Sequence, residues 1–466
     1  MGNKQNFFAA HYNRLKPAQK IAISFLLVIL IGSLLLCLPV SNRNGSWLNP
    51  LDALFTATSA TCVTGLVVRV TAEQFNVFGQ IVILGLIQIG GLGLMTLVAT
   101  FLIMLKNRLS VNNRIAMLEM LNQASISDFK RFLTGIIKYT VFFESLGAIL
   151  LMFVFIPQFG ILEGIWKSFF ISISAFCNAG FDIIGSVSLR DYVTNPIVNF
   201  TVMGLIICGG LGFAVWFDLR AKTRNKLKEK WKVKRIAHSL QLHTKFVIIS
   251  TLVMVLFPAF LILMIEFDNP ETLGNLNIFE KIMASLFESV TFRTAGFETI
   301  YSGATATATK FLGMICMFIG GSPGGTSGGI KTTTLAVVLT CVWCRMKGLT
   351  HTDVFGRHIS REIIVRATMI IVVNTMVLFT GIFLLSIFEP FEFSSICYEA
   401  TSALATVGLT TGITTQLSIA GKIIIIILMY VGRIGIMTAL MSITPDPRQA
   451  HYRSQLDLPE GHIIVG

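Results

Sequence analysis

Four glycines carry the first chemical signal in this chain. Gly65 stands in TCVTGL, Gly180 in FCNAGF, Gly296 in FRTAGF and Gly408 in ATVGLT, at successive spacings of 115, 116 and 112 residues. Ser-Ala lies six and five residues before the glycine in three copies: Ser59-Ala60, Ser174-Ala175 and Ser402-Ala403. The third copy departs with Val290-Thr291. Glycine releases a helix end into conformations closed to other residues. The tripeptides Val63-Thr64-Gly65, Asn178-Ala179-Gly180, Thr294-Ala295-Gly296 and Thr406-Val407-Gly408 are therefore candidate carbonyl donors to a cation. A ring of carbonyl dipoles can replace a hydration shell and so discriminate between ions.

A second cluster sits in one stretch. Gly320, Gly321, Ser322, Pro323, Gly324, Gly325, Thr326, Ser327, Gly328 and Gly329 place six glycines and a proline within ten residues of an apolar segment. Such a composition cannot hold a regular helix, so the segment opens into a loop, and a flexible loop at membrane depth reads as a gate. Lys331 does not directly follow the second glycine of a phosphate-cradling motif, because Ile330 intervenes, and no strand precedes the run. The nucleotide-binding reading therefore fails. Arg433, in VGRIG, lies at the matching depth. A guanidinium there needs a partner or water, and two roles stay open: donating to loop carbonyls, or repelling cations from a cavity. Lys331 either shares that task or marks where the helix resumes.

The remaining charged candidates have plainer readings. Arg293 sits three residues before Gly296 and is expected to brace its helix, with Glu288 and Glu399 as candidate partners. Glu144 is expected to pair with Lys138, although a transport role is conceivable for a carboxylate in a span. Asp182 either draws ions to a mouth or is a solvated rim residue. The Cys341–Cys344 pair has no second pair to complete a metal site and reads as small buried apolar residues. No catalytic triad and no metal-ligand set appears in the apolar segments, so no enzymatic role and no cofactor is expected.

The elements that would position these residues follow from composition. The 466 residues are 53% apolar and only 13% charged, with a mean hydropathy of +0.74. Apolar stretches of about 20 residues recur, the length that crosses ~30 Å of hydrocarbon. An all-α polytopic membrane protein is the fold class this dictates. A second glycine follows each of the four by 25, 29, 24 and 24 residues: Gly90, Gly209, Gly320 and Gly432. Two marks at one period indicate four pseudo-repeats of span, re-entrant helix and span around a central pore. The expected first spans are Ile21–Leu38, Tyr139–Ile156, Phe246–Ile265 and Ala367–Phe388. The second spans are Val77–Leu105, Ile197–Phe217, a broken one from Phe311 to Cys344, and Ile423–Ile443. Between them lie Leu51–Thr61, Ile165–Cys177, Phe279–Arg293 and Phe393–Thr406, too short to cross and too rich in Ser and Thr to face lipid. Four such helices aiming their C-termini inward would present about −2 charge to an ion on the axis.

The units are 1–106, 107–222, 223–345 with the loop at 320–330, and 346–466. Eight transmembrane spans put both termini in the cytoplasm. The Ile21–Leu38 stretch is kept as a span rather than a signal peptide, since no small-residue cleavage site follows it. Of 37 Lys and Arg, most then fall in inner segments, which accounts for the +13 net charge by topology and excludes nucleic acid as a partner. Arg220–Arg235, with nine basic residues, fits anionic headgroups or an acidic regulatory partner. The EGHIIVG terminus suggests packing at a dimer interface.

With the glycine tripeptides, GGSPGGTSGGIKTT and VGRIG in place, the chain resembles the Trk/Ktr/HKT superfamily of potassium transporters, most closely the bacterial Ktr-type membrane subunit, from Ile21 onward. The resemblance implies a single-file cation path in the bacterial cell membrane. It also implies potassium selectivity from glycine in all four loops, with potassium held by filter carbonyls alone, and a loop obstructing the pore beneath the filter. Serine at the first loop position accompanies sodium permeation in some relatives; here Gly65 fills it. A homodimer is implied, each subunit with its own pore, seated on a cytosolic ring of nucleotide-binding regulatory subunits, with sodium as a frequent activator. Nucleotide would be read only by that partner. The rival reading is an alternating-access carrier for a cation or small solute. Such carriers usually show two, often inverted, repeats, against four of the same sense here.

Overall fold

The computed structural model describes residues 17–93, 126–229 and 239–435. Four expectations lie wholly or partly outside them: the continuation of Val77–Leu105 past Gly93, that of Ile423–Ile443 past Gly435, the end of the basic Arg220–Arg235 segment, and the EGHIIVG terminus. The described residues are nearly all helical, with one two-stranded hairpin, β1 (Asp353–Val354) and β2 (Arg357–His358).

In chain order the main helices are α1 (Pro17–Cys37), α2 (Pro50–Cys62), α3 (Val77–Leu92), α4 (Ile126–Phe159), α5 (Ile161–Cys177), α6 (Pro196–Gly210) and α7 (Phe213–Glu229). Then follow α8 (Leu242–Glu266), α9 (Ile278–Thr291), α10 (Thr307–Ile319), α11 (Thr332–Met346), α12 (Arg361–Phe388), α13 (Phe393–Ala405) and α14 (Ile419–Ile434). Among the described residues α1, α4, α8 and α12 contain 19 to 28 residues long and apolar enough to cross a membrane. Their exposed faces carry Leu34, Phe153, Phe257 and Phe383, which a bilayer would cover. This is a multi-pass helical membrane protein.

The second helices end earlier than their hydropathy suggests. α3 and α14 have 16 residues each, about 24 Å at 1.5 Å per residue, short of the ~30 Å hydrocarbon core. The expected span Ile197–Phe217 is instead two helices, α6 and α7, bent by 95°. The cause is a shared GGLG-like ending. Gly93, Gly212 and Gly435 adopt φ of 81°, 88° and 86°, and left-handed backbone cannot continue an α-helix. The expected break in the third copy is present between α10 and α11.

The short helices α2, α5, α9 and α13 match the sequence expectation to within a few residues. Asn49 caps α2 through Leu51 N, and Asn277 with Glu280 forms a capping box on α9. At the other end, Val63, Asn178 and Thr406 take left-handed conformations. Thr64, Ala179 and Val407 then donate back to Ser59 O, Ser174 O and Ser402 O, each at 2.8 Å. That is the Schellman closure; the serine itself is used through its side chain in two copies, where Gly65 N donates to Ser59 Oγ and Gly408 N to Ser402 Oγ, each at 3.1 Å. The third copy, without Ser-Ala, closes differently, with Ala295 N on Thr291 O at 3.0 Å.

Three glycines of the second register share one packing role. A Cβ on Gly90, Gly209 or Gly432 would collide with the carbonyl of Thr61, Phe176 or Leu404, respectively. Each of those carbonyls lies four residues before its tripeptide glycine. The second helix thus rests its bare backbone on the last turn of the short helix. Gly320 meets Gly328 O and Gly329 Cα instead, because there the chain has left the helix.

Two expected pairings are replaced by others. Glu144 accepts Gln88 Nε2 at 2.9 and 3.0 Å rather than pairing with Lys138, since its side chain turns from α4 toward α3. Arg293 reaches Thr251 Oγ1 of α8 at 3.4 Å, not Glu288 or Glu399. Glu399 accepts from Thr410 Oγ1 at 2.7 Å and from Thr414 Oγ1, so it is engaged by the loop that follows its own helix rather than by Arg293.

Candidate functional site

The four tripeptides converge. A Cβ on Gly65 would lie 2.6 Å from Ala179 O, and one on Gly180 would lie 2.8 Å from Ala295 O. From Gly296 the next atom is Val407 O, and from Gly408 it is Thr64 O, so the contacts close into a ring in chain order. All four glycines have positive φ, between 67° and 99°. Two residues earlier, Val63, Asn178, Thr294 and Thr406 are also left-handed, at 52° to 68°. The intervening residue is not. Backbone of alternating hand turns successive carbonyls to one side of the chain, which an ordinary strand cannot do. Only glycine serves at the ring positions, by conformation and by space.

One side of the ring opens into a cavity of about 310 Å³. It is lined by Gly65, Gly180, Gly296 and Gly408, by Asp182 and Thr410, and by an ion-paired cluster that sequence reading did not find. Arg190 binds the Glu298 carboxylate, its Nε at 3.0 Å, and its guanidinium lies 4.2 Å over the Tyr301 ring. Glu298 also accepts Ser302 N at 2.6 Å, and Tyr301 donates to Thr411 O at 3.1 Å. The second, third and fourth copies are thereby linked around the mouth. Residues 190 and 298 are 108 apart, and neither forms a motif, so no local signal announces the pair. Asp182 lines this cavity, and its Oδ1 accepts Ile184 N at 3.1 Å.

The opposite side is occupied by the glycine-rich loop. Gly328 N donates to Thr294 Oγ1 at 3.1 Å, and Ser327 Oγ is hydrogen-bonded to the Asn178 side chain. A Cβ on Gly328 would run into Thr406 Oγ1 and lie 2.6 Å from Ala405 O. Three of the four left-handed residues beneath the ring therefore touch residues 327–328. The loop is held from the side by the break between α6 and α7: Ser322 N binds Gly210 O, Thr326 N binds Gly209 O, and Phe213 N binds Gly324 O, all at 3.1 Å. These are helix-end groups that would otherwise be unsatisfied at membrane depth.

Arg433 closes the arrangement. Its Nη1 donates to Thr326 O at 2.7 Å and its Nη2 to Gly90 O at 2.5 Å. Of the two roles the sequence left open, donation to a loop carbonyl is the geometry observed. Lys331 also turns back on the loop, its Nζ 2.6 Å from Ser327 O and 3.3 Å from Gly328 O. Pro323 and Gly324 lie at the tip against Gly212. Thr64 Oγ1 and Thr406 Oγ1 are buried with no hydrogen-bond partner among the described residues.

Comparison with known proteins places this geometry. The TrkH family model, described as a cation transport protein, matches residues 9–452. The chain belongs to the TrkH cation transport family. Among relatives, it is 39% identical over 454 residues to Ktr system potassium uptake protein B of Bacillus subtilis, covering 97% of both chains. It is 40% identical to the potassium/sodium uptake protein NtpJ of Enterococcus hirae, covering 97% of this chain and 98% of that one. The crystal structure of the potassium transporter TrkH from Vibrio parahaemolyticus superposes with a TM-score of 0.68 at 18% identity, over 91% of this chain and 85% of the other. At that identity the match speaks for the fold: a TrkH-type helical membrane protein.

Proposed function

We propose that this TrkH-family chain takes up potassium across the bacterial cell membrane, with the glycine ring as selectivity filter and the 320–330 loop as gate. One observation carries the reading: cavity, ring and loop are stacked in that order, and the loop touches three of the four tripeptides from below. An ion leaving the cavity through the ring meets residues 327–328 next. Four short-helix C-termini around the ring favour a cation by their partial charges, and the names of the Bacillus and Enterococcus relatives favour potassium.

The filter is Val63-Thr64-Gly65, Asn178-Ala179-Gly180, Thr294-Ala295-Gly296 and Thr406-Val407-Gly408. The gate is Gly320–Gly329 with Lys331 and Arg433. The four units 1–106, 107–222, 223–345 and 346–466 supply two spans each, the second in each bent or interrupted at its glycine, and both termini lie in the cytoplasm. A homodimer on a cytosolic nucleotide-binding ring, with sodium as activator, completes the proposal. The "Ktr system" in the relative's name supports a multi-component assembly. The test is expression in a bacterium lacking potassium uptake, on low potassium, with and without a cognate cytosolic subunit. Growth restored by the pair supports the proposal; no growth from membrane-inserted protein under either condition overturns it.

A further inference from the structure

A second cavity, of about 400 Å³, lies between α8, α11 and α12, away from the ring. Its apolar lining includes Phe246, Val337, Ile359 and Ile370, and its polar lining residues are Arg366, His243, His358, Thr333 and Thr334. No carboxylate lines it. His358 is engaged by Asp353, Nδ1 to Oδ1 at 3.0 Å, whereas among the described residues Arg366 has neither ion pair nor hydrogen bond to a side chain. Asp353 and Asp218 answer the two histidines, which leaves Arg366, at the exposed edge of the chamber, as the lining cation without an ion pair among the described residues; it suits an anion that carries its own hydrocarbon.

We propose that this cavity is a binding site for an anionic phospholipid, its phosphate on Arg366 and the upper part of one acyl chain along Phe246, Val337 and Ile370. The mouth favours lipid over a soluble anion. Ile363 in its wall is exposed, as are Ile249 and Leu339 elsewhere on the surrounding helices, apolar surface that a bilayer would cover. The site lies at the first turns of α8 and α12, where basic residues meet anionic headgroups. Its volume falls within the ~300–1,000 Å³ of ordinary ligand cavities, too small for a protein segment of any size. The site also adjoins the loop: Lys331 is the N-cap of α11, and Thr333 and Thr334 are its first-turn residues. A ligand that binds where this cavity exists favours the arrangement that contains it, here the one with the loop beneath the ring.

The test uses the full chain, purified and equilibrated with equal amounts of phosphatidylglycerol and phosphatidylcholine, with retained lipid read by native mass spectrometry. Wild type is expected to retain phosphatidylglycerol preferentially. Arg366→Gln should lower that retention by about tenfold or more, equivalent to about 1.4 kcal/mol, while Arg361→Gln, at a neighbouring exposed arginine outside the cavity, should not. Val337→Trp, which fills the chamber and keeps the charge, should also lose the lipid. Millimolar inorganic phosphate should not displace it. Equal retention in wild type and Arg366→Gln, equal losses in Arg361→Gln and Arg366→Gln, full retention in Val337→Trp, or displacement by phosphate would each overturn the proposal.

Discussion

Arg433 offers the sharpest handle on the proposed gate. Its two acceptors belong to different bodies, Thr326 O on the loop and Gly90 O at the end of α3. The fork therefore pins the loop to a fixed helix. A hydrogen bond to a charged group contributes roughly 1.5–3 kcal/mol net. Removing the bond to Thr326 alone should shift the balance between seated and displaced loop by roughly 10- to 100-fold, since 1.36 kcal/mol is one factor of ten. Arg433→Ala should raise flux by that order, up to the limit where the loop is mostly displaced. Arg433→Lys discriminates further: an ammonium has no planar fork and does not reproduce the two-pronged contact with Thr326 O and Gly90 O. Lys should then behave closer to Ala than to wild type. If charge repulsion governed instead, Lys would preserve the barrier. The assay is rubidium uptake into vesicles at matched protein level, with correct folding checked by elution profile and thermal unfolding. Unaltered or slower flux in well-folded Ala protein would refute the tether.

Three further outcomes are expected. Gly65→Ser should reduce discrimination of potassium over sodium in permeability measurements, because its Cβ would sit 2.6 Å from Ala179 O at a φ of 99°; an unchanged ratio removes Gly65 from the filter. Deleting residues 321–328 should raise flux and weaken its dependence on a cytosolic partner, and a folded deletion protein no faster than wild type contradicts the gate. Gly432→Ala should destabilise the protein by about 1–3 kcal/mol, the usual range for overpacking, since the methyl meets Leu404 O. Thermal unfolding reads this, and an unshifted midpoint means α14 does not rest on α13 as described.

Much of this was legible in the chain because it depends on local chemistry that repeats. The period of Gly65, Gly180, Gly296 and Gly408 located the ring, and hydropathy with Ser/Thr content bounded the four short helices closely. The Gly/Pro run announced the break between α10 and α11. What escaped was set by contacts distant in sequence. Gly90, Gly209 and Gly432 were visible as a pattern, but that each clears a carbonyl four residues before a ring glycine emerges only when the helices are packed. The ends of α3, α6 and α14 were masked by apolar residues that continue past Gly93, Gly212 and Gly435, where hydropathy keeps its value while φ changes sign. Arg293 and Glu144 found neutral partners on neighbouring helices, Thr251 and Gln88, which charge-pairing logic does not consider. The Arg190–Glu298–Tyr301 cluster joins separate loops around the mouth, and nothing local marks it.

The central claim is that the four carbonyl-lined tripeptides hold the transported ion, and anomalous scattering addresses it directly. Crystals of the full chain grown with rubidium or thallium in place of potassium should show peaks on the axis of the ring, level with the carbonyls of Thr64, Ala179, Ala295 and Val407, and the Gly65→Ser protein should show a weakened or displaced peak. Peaks only in the outer cavity beside Asp182, with none at the ring in well-ordered wild-type protein, would contradict the account.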